Sequence, residues 1–111
     1  MATRPKLKSA CFIVRAQVVD AAVKEAFDRW YRDEHLAQAV KAFGAQRAWR
    51  GWSEMDASVH YACYEFDDVA RVRAIPGSDA LKRLAADFDR AWGDKVVRGR
   101  DAVQVVQRIG A

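Results

Sequence analysis

Phe27-Asp28-Arg29-Trp30-Tyr31-Arg32-Asp33-Glu34-His35-Leu36 is the stretch on which the fold turns. Val23, Phe27 and Trp30 recur at helical spacing, with Ala26 and Tyr31 flanking that apolar stripe. Glu25/Arg29 and Asp28/Arg32 are acid-before-base pairs four residues apart, a pattern suited to the outer side of a helix. Past His35 the phase breaks. Leu36, Val40 and Phe43 keep helical spacing but fall on roughly the opposite side of the wheel. One straight helix cannot bury both stripes against one sheet. The pattern predicts a helix from Ala21, capped by Asp20, that ends or bends near His35. A further helical stretch then runs to Phe43, and Gly44 closes it.

Upstream, Ser9 to Val19 reads as a strand. Phe12, Val14, Ala16 and Val18 form one apolar face, and Cys11, Ile13, Arg15 and Gln17 a mixed one. Downstream, Ala45 to Met55 reads as a second strand with Trp49 and Trp52 on opposite faces. Glu54 to Ala57 forms a turn, and Val59 to Phe66 a third strand dense in β-formers. Asp67 or Asp68 caps a short helical turn ended by Pro76-Gly77. Ser78 caps a last helix in which Leu81, Leu84, Ala85, Phe88, Ala91 and Trp92 recur at three- and four-residue spacing, and Gly93 stops it. A charged loop with Gly99 leads to a final strand over Ala102 to Ile109, with Val103, Val105 and Ile109 on one face. The order β-α-β-β-α-β is the split βαβ arrangement. It implies an α+β, ferredoxin-like fold with a four-stranded antiparallel sheet. The expected organisation is an N-terminal tail over residues 1–8 and one domain over residues 9–111.

A chain of 111 residues fits one domain that buries roughly two-thirds of its unfolded surface. Hydrophobic residues make up 51% and charged residues 31%, which rules out a disordered composition. Nineteen basic and fifteen acidic residues leave a net charge of +4. They are interleaved, so no nucleic-acid face is expected; Arg4, Lys6 and Lys8 form a short basic tail. No apolar leader and no run of ~18 apolar residues is present, so a cytoplasmic protein without a membrane partner is expected. Cys11 and Cys63 lie in apolar runs without metal-ligand spacing and read as buried free thiols. Four Trp in so short a chain is many, and a few such rings can dominate a core or an interface.

The segment F-x-x-W-Y-x-x-E-H-L from Phe27 to Leu36, followed by Phe43-Gly44 before the second strand, resembles the dimeric α/β-barrel superfamily. Within it the nearest likeness is to EthD-like proteins, whose first helix ends in a similar Glu-His pair. Tyr61-Ala62-Cys63-Tyr64-Glu65-Phe66-Asp67 is similar to that group's third strand. Where the group carries Pro shortly after the Glu-His pair, this chain has Ala37-Gln38. The resemblance implies a homodimer whose two sheets pack face to face. It implies no single activity, since such proteins include cofactor-free oxygenases, isomerases and cyclases.

Glu34 is expected within roughly 40° of Val23, Phe27 and Trp30 on the helical wheel, inside the apolar stripe. A carboxylate there is either a pocket acid or base, or a buried partner of an arginine. His35 titrates near neutrality and sits where the helix breaks, which suits proton transfer; a hydrogen-bonded structural role is the other reading. Trp30, Tyr31, Tyr64, His60 and Trp49 are the candidate substrate-binding residues. Tyr61 and Tyr64 point to opposite faces, as do Trp49 and Trp52, so one of each pair lines the helix side. No phosphate loop, nucleophile elbow or metal cluster is legible, and no cofactor is expected. Two functions remain open: a small cofactor-free enzyme acting on an apolar or aromatic molecule between the first helix and the sheet, and a non-catalytic dimeric ligand-binding or accessory protein. An open cavity with His35 or Glu34 directed into it favours the first, and a closed interior the second.

Overall fold

Alternation of apolar and mixed residues makes Ala10–Val18 the central strand, β1, in a computed structural model that describes residues 9–110. The basic tail over residues 1–8 lies outside the described residues. Ala10, Phe12, Val14, Ala16 and Val18 are all buried, as their two-residue period requires. β1 pairs antiparallel on one side with β3, Val59–Phe66, and on the other with β4, Val96–Gln104. β2, Arg47–Trp52, pairs with β3 and forms the far edge, giving the order β2-β3-β1-β4. This is the expected four-stranded antiparallel, ferredoxin-like sheet.

The last strand differs from the expectation of Ala102–Ile109. It begins six residues earlier, and the charged segment around Gly99 is itself ladder, paired from Val18↔Val96 to Ala10↔Gln104. The cause is visible in the side chains. The inward positions after Val96 are Arg98 and Arg100, so the apolar alternation that marks a strand is missing where it would have been read. Ile109 lies beyond the strand and is exposed.

The first helical region is continuous. After a single turn at Ala21–Val23, capped by the Asp20 carboxylate on the Ala22 N–H, come α1, Lys24–Trp30, a π-helical turn at Tyr31–His35, and α2, Leu36–Phe43. In the π turn the Leu36 N–H reaches back five residues to the Tyr31 carbonyl. Phe27, Tyr31, His35, Ala39 and Phe43, each four residues from the last, all pack toward the sheet. In a plain α-helix each such step drifts about 40°; the extra residue of the π turn removes about 100° of that drift. The phase change at His35 is therefore an inserted residue and not a helix end. Gly44 closes α2 at φ 69°, in the left-handed region that glycine enters without strain.

A short α3, Val69–Arg73, capped by Asp68, leads to α4, Asp79–Trp92. The Ser78 hydroxyl accepts from the Leu81 N–H and caps α4 as expected. Leu84 and Phe88 on its inner stripe are buried. The core sits between these helices and the inner sheet face. At its centre the fully buried Phe27 ring lies 5.3 Å from those of Tyr31, His60 and Trp92 and 5.9 Å from that of Phe88. The other sheet face carries no helix among the described residues. Trp49, Val97 and Val103 are exposed there at 52%, 59% and 40%. Cys11 and Cys63, both free, share that face; burial, then the neighbouring Cys11, pushes the Cys63 thiol up to about 12.

Candidate functional site

The π turn aims His35 at the sheet, where its side chain is 5% exposed. The ring stacks on Trp30 with centroids 4.2 Å apart and meets Tyr31 edge-on at 4.9 Å. It lines a small cavity with Tyr31 and Phe43 of the first helical region, Tyr64 of β3, Phe88 of α4 and the two β4 arginines, Arg98 and Arg100. The cavity volume is about 20 Å³, room for one water or one ligand oxygen. An open cleft of about 430 Å³ beside α4 and β4 shares Phe12, Leu81 and Arg100 with it. The interior thus meets both expectations in part: very small, yet with His35 in the wall.

Burial holds His35 down at about pKa 4; Asp87 pulls the other way and Arg98 adds to the depression. The imidazole is neutral at pH 7. Its Nδ1 is buried and has no hydrogen-bond partner among the described residues. Burial raises Tyr31 to about 12 against the pull of its hydrogen bond with Tyr64 and of Arg98, Arg50 and Arg100. Tyr64 is pushed up as well, first by burial and then by Tyr31. Both phenols stay protonated and can donate.

Arg98 lies with its Cζ 4.3 Å over the Phe88 ring. Its Nη2 pairs with Asp89 at 3.1 Å, while its Nη1 is buried without an acceptor among the described residues. Beneath the cavity runs a second polar group. The Asp28 carboxylate accepts from Arg50 Nη1 at 2.8 Å and from Trp52 Nε1 at 2.9 Å, and these bonds hold its pKa below the usual carboxylate value. The same Arg50 Nη1 lies 3.2 Å from His60 Nε2. A guanidinium only donates, so Nε2 accepts and the His60 proton sits on Nδ1. Burial, then Arg50, lowers His60 to about 4.

The expected site is rearranged in three ways. Glu34 is exposed and does not line the cavity, because the π turn hands the inward position to His35 one residue later. Trp49 lies on the uncovered sheet face, opposite the helices; its place on the inner face belongs to Trp52, whose ring is 5.0 Å from His60. Tyr31, Tyr64 and His35 do come together at the cavity. Trp30 and His60 are ring neighbours of these residues but not wall residues themselves. Asp28 pairs with β2 and not with Arg32, which bonds its neighbour Asp33. Sequence reasoning missed Arg98, Arg100 and the Asp28-Arg50-Trp52 group. Arg50 was findable, since it shares a strand face with Trp52; Arg98 and Arg100 were hidden in the segment taken as a loop.

Solved structures share this arrangement. An EthD family protein from Bacillus halodurans superposes with a TM-score of 0.62 at 17% identity, over 84% of this chain and 96% of that one. SnoaB, a cofactor-independent oxygenase from Streptomyces nogalater, gives 0.62 at 13% identity over 94% and 99%. A nipsnap family protein of unknown function from Agrobacterium tumefaciens gives 0.60 at 15% over 88% and 89%. The fold these structures share with the chain is the α+β, ferredoxin-like one. At these identities the likeness carries the fold and leaves the activity to the site. No family model matches the chain, and no curated protein does. In this ferredoxin-like frame the cavity lies between the first helical region and the inner sheet face. No helix among the described residues is long and apolar enough to cross a membrane.

Proposed function

We propose that the protein is a small cofactor-free enzyme, of oxygenase, isomerase or cyclase type, that acts on an apolar or aromatic molecule in a pocket between the first helical region and the sheet. The observation that carries the reading is His35: buried, neutral at pH 7, with an Nδ1 unpartnered among the described residues, in the wall of an aromatic cavity that adjoins an open cleft. A neutral imidazole in such a place accepts a proton from a carbon or oxygen acid. Its low pKa without ligand reflects desolvation. An anion formed beside it stabilises the imidazolium in the same low dielectric, so the pair of charges develops together. Tyr31 and Tyr64 donate hydrogen bonds, and the surrounding rings exclude water. The similarity to SnoaB supports the cofactor-free class.

The protein acts as a homodimer in this proposal, with the Trp49, Val97 and Val103 face covered by a second copy. The competing reading, a dimeric ligand-binding protein without chemistry, draws on the small inner volume of about 20 Å³. A panel of small phenols and lactones separates the two. Tryptophan fluorescence reports binding and chromatography reports turnover, on the wild type and on His35→Gln. Turnover of at least one compound, lost in His35→Gln while binding persists, is expected. Binding without conversion throughout the panel makes this a binding protein.

A further inference from the structure

β4 places two arginines where a ferredoxin-like sheet would bury aliphatic residues. Arg98 stands opposite Ala16 and Arg100 opposite Val14, both on the inner face and both in the cavity wall. Arg98 is the more enclosed, with its side chain 15% exposed. Its one carboxylate partner, Asp89, is itself 65% exposed and so is largely screened by solvent. The other arm, Nη1, is buried and has no acceptor among the described residues. A guanidinium cannot shed its proton to relieve this, and an unmet charged donor costs more than a neutral one. His35 Nδ1, in the wall of the same cavity, is unmet as well.

The volumes suggest what completes the set. The inner space of about 20 Å³ holds one oxygen-sized group and no ring. The adjoining cleft of about 430 Å³ is large enough for a planar skeleton, and it shares Leu81 and Arg100 with the inner space. Among the described residues the inner space is lined by two arginines and no carboxylate, whereas in the outer cleft Arg100 is balanced by Asp101. Arg98, Arg50 and Arg100 all act on the Tyr31 hydroxyl in the sense that favours negative charge.

We infer that the ligand is an organic anion, with its charged oxygen in the inner cavity against Arg98 and its planar apolar skeleton in the outer cleft, and that Arg98 determines this specificity. The inference rests on the cavity proposed above as the active site and names the class of molecule that enters it. A charge-assisted hydrogen bond to Arg98 satisfies its Nη1, and the inner space, too small for a ring, fixes the orientation. A single water in the inner space meets the same donors with a neutral acceptor and selects no ligand.

Benzoate and its neutral counterpart benzamide are suitable probes. Their dissociation constants are measured by calorimetry on the full chain at pH 7.5, for the wild type, Arg98→Met and Arg98→Lys. Wild type is expected to bind benzoate about tenfold or more tightly than benzamide, the ratio one charge-assisted bond supplies. Arg98→Met should bring the two probes together, and Arg98→Lys should keep part of the preference. Equal wild-type affinities, or a preference that survives in Arg98→Met, overturn the inference while leaving the cavity as a ligand site. If neither probe binds wild type, the cavity reading falls and this inference falls with it. The wild-type comparison needs no variant, so poor folding of Arg98→Met does not rescue the idea.

Discussion

Lowering the pH from 7 to 4.5 should reveal His35 as a group buried in its neutral form. An unfolded chain holds this side chain at its ordinary pKa near 6.5, whereas the fold holds it at about 4. Between these values the unfolded state binds the proton and the folded state does not. Stability therefore falls as pH drops through 6.5 toward 4 and is regained on raising the pH. At pH 4.5 the unfolded imidazole is almost fully protonated and the folded one only about a quarter so. The difference amounts to about 2–3 kcal/mol for His35 alone. Asp87 opposes the shift and Arg98 reinforces it, and both remain in place when His35 is replaced by an uncharged residue. The assay is urea unfolding of wild type and His35→Gln at pH 7.0 and 4.5, at one fixed protein concentration so that association does not enter. Wild type should lose about 2–3 kcal/mol more than the variant over this interval. Equal losses would refute the argument, since His35 would then carry its proton in the folded state as readily as in water. A smaller loss in wild type would mean that Asp87 dominates and the imidazole is cationic in the fold.

Phe88→Ala, which empties the inner stripe of α4 beside Phe27 and Trp30, should cost about 3–5 kcal/mol in urea melts; a loss below 1 kcal/mol would place α4 off the core. Light scattering across a dilution series should give twice the chain mass, and a monomer throughout the micromolar range would leave the Trp49 face without its proposed cover.

Much of the fold was legible because its signals are local. The Val59–Phe66 strand matches the expected bounds, and the Ser78 cap and Gly93 stop bracket α4 as read. β1 keeps its two faces as the alternation assigns them. What failed did so for two physical reasons. A helical wheel assumes one fixed angle per residue, and the π turn at Tyr31–His35 breaks that assumption where the site is built. The wheel therefore buried Glu34 and left His35 at an edge; the fold does the reverse. It also had the helix end or bend near His35, whereas the helix runs on through that residue and its ring is stacked on Trp30. In β4, the period-two signal depends on apolar side chains at the inward positions. Arginine at 98 and 100 removes it, so a strand built to serve a cavity reads as a charged loop.

The π turn also separates site from scaffold along the chain. A helix holding one residue more than its regular winding needs can lose that residue and relax to ordinary α geometry. Its two ends, fixed by Phe27 against the sheet and by Gly44 at the exit, need not move. Arg32, Asp33 and Glu34 are the exposed residues of that turn, so the surplus can be spared at the surface. A one-residue change in length here acts like a dial, rotating which side chain meets the cavity while the sheet and both flanking helices keep their places. Related chains that share this architecture are thus free to differ in the chemistry they present at this point without redesigning the rest of the molecule.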